Sequence, residues 1–167
     1  MKGQPAPELN IVQWFNTTTP LDLKSLRGKV VVLHAFQMLC PGCVQHGLPQ
    51  TQKISRLFAA QFAAQDVVVI GIHTVFEHHA AMSPVSLEAF IHEYGLRFPI
   101  GVDRAGEGHA IPQTMAAYKL RGTPSLVLID RQGIIRHHSI GAEDDMQIGA
   151  EIALLLAEKN SGQEAAQ

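Results

Sequence analysis

The stretch that decides the reading of this chain is "VVVLHAFQMLCPGC", residues 30–43. It opens as a near-continuous apolar run with three valines. That is the pattern of a strand buried on both faces, and hence of a central strand in an α/β sheet, here expected over 28–36. It closes on Cys40 and Cys43, the only two cysteines among 167 residues, with Pro41-Gly42 between them. A helical pattern follows: Ile54, Leu57, Phe58 and Phe62 recur on one face. Pro41 suits a first helical position, whereas Pro49 lies further in, removes a backbone N–H and implies a kink.

Working outward, "DVVVIGIHTV" (66–75) reads as a second buried strand, and "FEHHAAMS" as a polar excursion. Ser83-Pro84 supplies a helix start, with Leu87, Phe90, Ile91 and Tyr94 on one face and Gly95 as the stop. "RFPIGVD" predicts a short strand, "RAGEGH" a loop and "IPQTMAAYKL" a short helix. Residues 123–141 read as a β-hairpin around Arg131-Gln132-Gly133. A last helix over 143–158 turns Ile148, Ile152, Leu155 and Leu156 to the core, and residues 159–167 form a polar tail. Strands alternating with helices, then a closing hairpin, imply one domain over 1–158: an α/β three-layer sandwich with a mixed sheet.

Composition narrows the partners. Apolar residues at 46% and charged residues at 17% are an ordinary globular balance, and a net charge of −2 argues against a nucleic-acid footprint. "MKGQPAPELNIVQWFN" lacks the apolar stretch of a signal peptide, and no run approaches the ~18 apolar residues of a membrane helix. The expectation is a cytoplasmic protein, although a trimmed mature form of an exported one would read the same way.

Three uses of the paired cysteines are open: a redox pair, half of a metal site, or small buried residues. A structural disulfide across C-x-x-C closes a tiny loop and removes little unfolded-state entropy. Zinc needs four ligands, and there is no second pair. The nine histidines, among them His73, His78 and His79, show no convincing ligand spacing. A dithiol where a strand meets a helix N-terminus has a specific meaning, because unpaired N–H groups and a partial positive charge favour a thiolate on the first sulfur. Cys40 is then the attacking thiol. Cys43, one turn inside and more buried, is the resolving one.

These features together resemble the thioredoxin superfamily, in particular the thiol–disulfide oxidoreductases of the TlpA and ResA type, which overlap the redoxin (AhpC/TSA, peroxiredoxin-like) group. "GQPAPELNI" with "LDLKSLRGKVVVLHAF", "CPGC", "VVVIGIHT" with "YGLRFPIGVD", and "YKLRGTPSLVLIDRQGIIR" carry the resemblance over about residues 3–158. It implies a thioredoxin-like α/β/α fold with a cis peptide at Pro124 beside the two sulfurs. The backbone of Thr123 would be available for strand-like pairing with a substrate. Leu39 and Pro41, flanking the attacking sulfur, join Thr123 and Pro124 as expected substrate-contacting residues. Three positions depart from the family pattern. Leu39 stands where relatives carry tryptophan, His46 where many carry an acid, and His34 at a buried polar position beneath the second cysteine. His34, in an otherwise apolar run, is expected to be buried, neutral and able to act as a general base toward Cys43.

The resulting expectation is a disulfide reductase acting on protein or small-molecule disulfides and recharged by a thiol reductant, without cofactor, metal, nucleic acid or membrane. Two alternatives stand beside it. A thiol-dependent peroxidase would want a threonine where Gln37 stands and an arginine where Pro124 stands, with Arg121 near but displaced. A copper-binding module would use both sulfurs and a histidine such as His73.

Overall fold

The structure, a computed structural model, describes residues 1–58 and 66–158. Phe62 and the tail over 159–167 lie outside the described residues. Six strands form one mixed sheet: β1 (Ile11–Phe15), β2 (Val30–Phe36), β3 (Val67–His73), β4 (Ile100–Asp103), β5 (Ser125–Ile129) and β6 (Ile135–Ile140), in the order β1-β4-β3-β2-β5-β6. β2 is central, parallel to β3 and antiparallel to β5. All seven of its residues are buried, which is why its sequence is apolar almost without alternation.

The pleat sends Val30, Val32 and Phe36 to one face and Val31 and Leu33 to the other. The first face packs under α1 (Leu48–Leu57), α2 (Pro84–Glu93) and α4 (Asp145–Ala157) through Leu48, Ile54, Leu87, Ile91, Ile148 and Ile152. The second is covered by Leu23 and Leu26 of the N-terminal segment and by Tyr118 beside the short α3 (Gln113–Ala117). The three layers are therefore present, one of them thin. Expected signals appear in place. Ser83 caps α2 by accepting from the Ser86 N–H, Pro84 occupies its first turn, and Gly95 ends it at φ +59°.

Three expectations need correction. β1 was not foreseen; five residues of "IVQWF" pair antiparallel with β4 at the sheet edge. Leu57 is 41% exposed and Tyr94 50% exposed rather than core-facing. In α1 the buried stripe runs through Gln50, Thr51 and Ile54 and on to Phe58 just past its end, and Leu57 lies at the edge of that stripe. Ahead of Pro49 the chain makes a π-helical turn over Cys43–Gly47, in which the Leu48 N–H donates to the Cys43 carbonyl. A proline at 49 cannot donate to the carbonyl four residues back, and its ring crowds that carbonyl. The wider turn is how the helix accommodates it.

Candidate active site

β2 delivers the chain to a short loop tied down at Gln37, Met38 and Cys40. The Cys40 N–H donates to the Gln37 carbonyl at 3.2 Å, and the Met38 N–H to His73 Nε2 at 3.3 Å. The buried Gln37 amide accepts from the Phe76 N–H at 3.1 Å and donates to Glu77 at 3.3 Å, joining this loop to the segment after β3. Helix begins at Pro41. Cys40 is thereby left partly exposed, while Cys43 is completely buried; both are free thiols.

The two sulfurs have distinct surroundings. The Cys43 N–H donates to Cys40 Sγ at 3.2 Å, and Cys40 Sγ lies 3.5 Å from the Thr123 carbonyl oxygen. Cys40 Sγ is thus held between a backbone donor and a backbone acceptor. Burial pushes the Cys43 thiol up to about 12, reinforced by its contact with Cys40 and opposed by hydrogen bonds from the Gln37 backbone and Thr123. Geometry thus separates an accessible sulfur from one held protonated behind it.

The Thr123–Pro124 peptide is cis. Two helical glycines let the proline lie across the first turns after the cysteines. A Cβ on Gly42 would sit 3.3 Å from Pro124 Cδ, and one on Gly47 would sit 2.9 Å from Pro124 Cβ. Pro124 is buried and its carbonyl accepts from the Gly141 N–H at 2.8 Å, while Thr123 is half-buried with its carbonyl turned to Cys40. Leu39, 55% exposed, and Pro41, also exposed, flank the sulfur on the surface.

His34 is 2% exposed, and burial lowers its pKa to about 4, so it is neutral at pH 7. Its ring lies against Gly47, about one turn beyond Cys43, and Nε2 has no hydrogen-bond partner among the described residues. It borders a cleft of about 320 Å³ on the other side of Pro124 from the dithiol, with His46 on the exposed rim. The cleft brings in residues that sequence reasoning missed: Gly47, Gln50, Lys53, Glu143 and Asp145. One signal was available, since a glycine inside a helical pattern, as Gly47 is, often marks a close approach.

The alternatives find less. His73 is buried, its Nε2 is occupied by the Met38 N–H, and burial lowers its pKa to about 4. Among the described residues no three His, Cys, Asp or Glu side chains gather as metal ligands, so the copper module lacks its third donor. Gln37 spends its amide on Phe76 and Glu77, and Arg121 is exposed beside Ser125, His138 and Ile140. The Gln37 amide is thereby committed away from Cys40.

Fold and paired thiols define a thiol–disulfide oxidoreductase domain of thioredoxin-like architecture. The chain belongs to the redoxin family, whose model matches residues 1–152. A crystal structure of a thioredoxin-like superfamily protein is 57% identical, with TM-score 0.87 over 93% of this chain and 97% of that one. A thiol–disulfide isomerase from Corynebacterium glutamicum is 49% identical, with TM-score 0.86 over the same 93% and 97%. Protein DipZ of Mycobacterium tuberculosis is 32% identical over 142 residues, 83% of this chain but 19% of DipZ. Thiol-disulfide oxidoreductase ResA of Halalkalibacterium halodurans is 27% identical over 127 residues, 75% of this chain and 62% of ResA. The chain thus spans less than two thirds of either curated relative.

Proposed function

We propose that the protein is a disulfide reductase in which Cys40 attacks and Cys43 resolves. The observation that carries this reading is the contrast between a partly exposed Cys40, receiving an N–H at 3.2 Å, and a fully buried Cys43 beside it. The Cys40 thiolate attacks one sulfur of a substrate disulfide, forms a mixed disulfide and expels the first substrate thiolate. Cys43 then loses its proton and attacks Cys40 Sγ. The Cys40–Cys43 disulfide forms, and the second substrate thiol leaves. Two electrons pass to the substrate, and an external thiol reductant restores the dithiol. Leu39, Pro41 and Thr123 form the surface on which the substrate rests, with Pro124 buried beneath Thr123 as its support, and His34 assists proton removal from Cys43. Recharging of this kind suits a reducing compartment, the cytoplasm.

The test is trapping. Cys43→Ser should accumulate mixed disulfides with a model protein disulfide, because attack survives and resolution does not; Cys40→Ser should abolish exchange. A Cys40→Ser variant whose Cys43 reacts rapidly would reverse the roles. Peroxide turnover faster than disulfide reduction, lost in Cys40→Ser, would transfer the reading to the peroxidase.

A further inference from the structure

The cleft beside the dithiol is a built cavity that the exchange chemistry does not require. It is bounded by the helical segment carrying His46, Gly47 and Lys53, by Pro124 just ahead of β5, and by residues 141–145 leading into α4. Pro124 separates it from the sulfurs by one ring. The ring meets Gly42, beside the cysteines, through Cδ and Gly47, beside the cleft, through Cβ. A polypeptide joined to Cys40 and lying over Thr123 would pass beside the cleft mouth.

Its charge is one-sided. The lining holds three carboxylates, Glu143, Asp144 and Asp145, against one ammonium, Lys53. Lys53 is already committed to Asp145 at 2.7 Å. Asp144 uses Oδ1 to cap α4, accepting from the Met146 and Gln147 N–H groups. Glu143 lies 3.4 Å from His137 Nε2, which also touches Ser139, while His137 Nδ1 lies 2.8 Å from Glu151. Beneath them His34, almost fully buried, borders the cleft with a ring nitrogen that no group among the described residues satisfies, and such nitrogens in native interiors call for a partner. The surroundings add negative charge for a cation, and among the described residues the one ammonium of the lining, Lys53, is already paired.

We propose that this cleft is a specificity subsite that receives a lysine or arginine side chain adjacent to the substrate's disulfide-bonded cysteine. The proposal rests on the reductase reading above. The cationic head lies among Glu143, Asp144 and Asp145, and the stem runs past Pro124. Asp144 and Asp145 are exposed and Glu143 is half-buried, so a single charge contributes at the scale of a surface ion pair, a factor of roughly 2–5 in rate constant.

Three peptide disulfides test it, identical except for Lys, Ala or Glu next to the cysteine, with kcat/KM measured for the reduced protein at low and high salt. The expected order is Lys above Ala above Glu, with a Lys-to-Glu ratio of about tenfold at low salt that shrinks as salt screens the rim. Glu143→Gln should lower that ratio. Lys53→Ala, which frees Asp145, should raise it, so two variants move the same quantity in opposite directions. Should one fail to fold, the other and the salt series still decide. Equal rates on all three peptides, or a ratio indifferent to both salt and Lys53→Ala, overturn the subsite and leave the reductase standing. Failure to reduce any of the three overturns the reductase reading itself.

Discussion

At the scale of single residues, the pairing of Cys43 with His34 is decided by magnitudes. A thiol pushed up to about 12 and an imidazole pushed down to about 4 both favour their neutral forms at pH 7, so no standing thiolate–imidazolium pair exists in the reduced protein. Once Cys40 is tied up in a mixed disulfide, its thiol no longer raises Cys43, and a base is needed only while the new S–S bond forms. His34→Asn should therefore leave alkylation of Cys40 unchanged and slow release from the mixed disulfide by about 10²-fold or less. Single-turnover measurement of formation and resolution separates the two steps, and an unchanged resolution rate would confine His34 to packing and to the cleft. Gly47 is the companion residue. A methyl there would collide with His34 Cε1 and come within 2.8 Å of Nε2 and 2.9 Å of Pro124 Cβ. Gly47→Ala should cost about 1–3 kcal/mol in chemical denaturation, because both the imidazole and the proline must move. A stability gain would show that the helix, not its neighbours, sets this position.

At the scale of elements, the long apolar strands and the capped helices were legible because each carries a period or a punctuating residue. β2 and β3 read as apolar runs, α2 as a Ser-Pro start with a Gly stop, and the hairpin as a polar turn with Gly133 at φ +78°. Pro49 announced a disturbance but not its form, since a kink and a π-helical turn relieve the same missing N–H. β1 was illegible because an edge strand of five residues has no core face on both sides to enforce a pattern. The cleft was illegible for another reason: Lys53, Glu143 and His34 meet only through packing of a helix, a strand and a loop distant in sequence. Asp103 shows the same limit. It reads as the end of a short strand, yet its carboxylate accepts from the Thr114 and Met115 N–H groups at 2.8 and 3.0 Å and from Thr74 at 3.0 Å. It thereby holds α3, which at five residues is too short to persist alone. Asp103→Ala should destabilise the protein by about 3 kcal/mol and Asp103→Asn by less, since one acceptor remains. Equal losses would mean that volume, not hydrogen bonding, is what Asp103 supplies.

At the scale of the whole molecule, a thioredoxin-like sheet that buries its central strands on both faces has enclosed two imidazoles, and this gives the fold an acid limit. His34 and His73 stand on either side of Phe36, with ring centroids 6.0 and 5.3 Å from it, and burial lowers each to about 4. In the unfolded chain both bind protons near 6.5. Between pH 6.5 and about 4 the unfolded state therefore holds more protons than the folded one, and stability falls as pH falls through that window, levelling below it. A difference of this size corresponds to roughly 3 kcal/mol per histidine, an upper figure because folded proteins relax around a buried charge. Other groups act lower. Asp145 and Glu158, held down by Lys53 and Arg136, lose their advantage only in the carboxylate range. Asp103, raised by burial, acts in the opposite direction and favours the folded state on acidification there. The loss above pH 4.5 thus belongs mainly to the two histidines. Urea unfolding at pH 7, 6, 5 and 4.5 should show a steep decline in the native protein. His34→Asn combined with His73→Gln, which keeps an acceptor for the Met38 N–H, should flatten that decline even where the variant is less stable at pH 7. Parallel pH profiles for native protein and double variant would mean that these imidazoles are already protonated or solvated when folded, and would remove the neutral base from the mechanism as well.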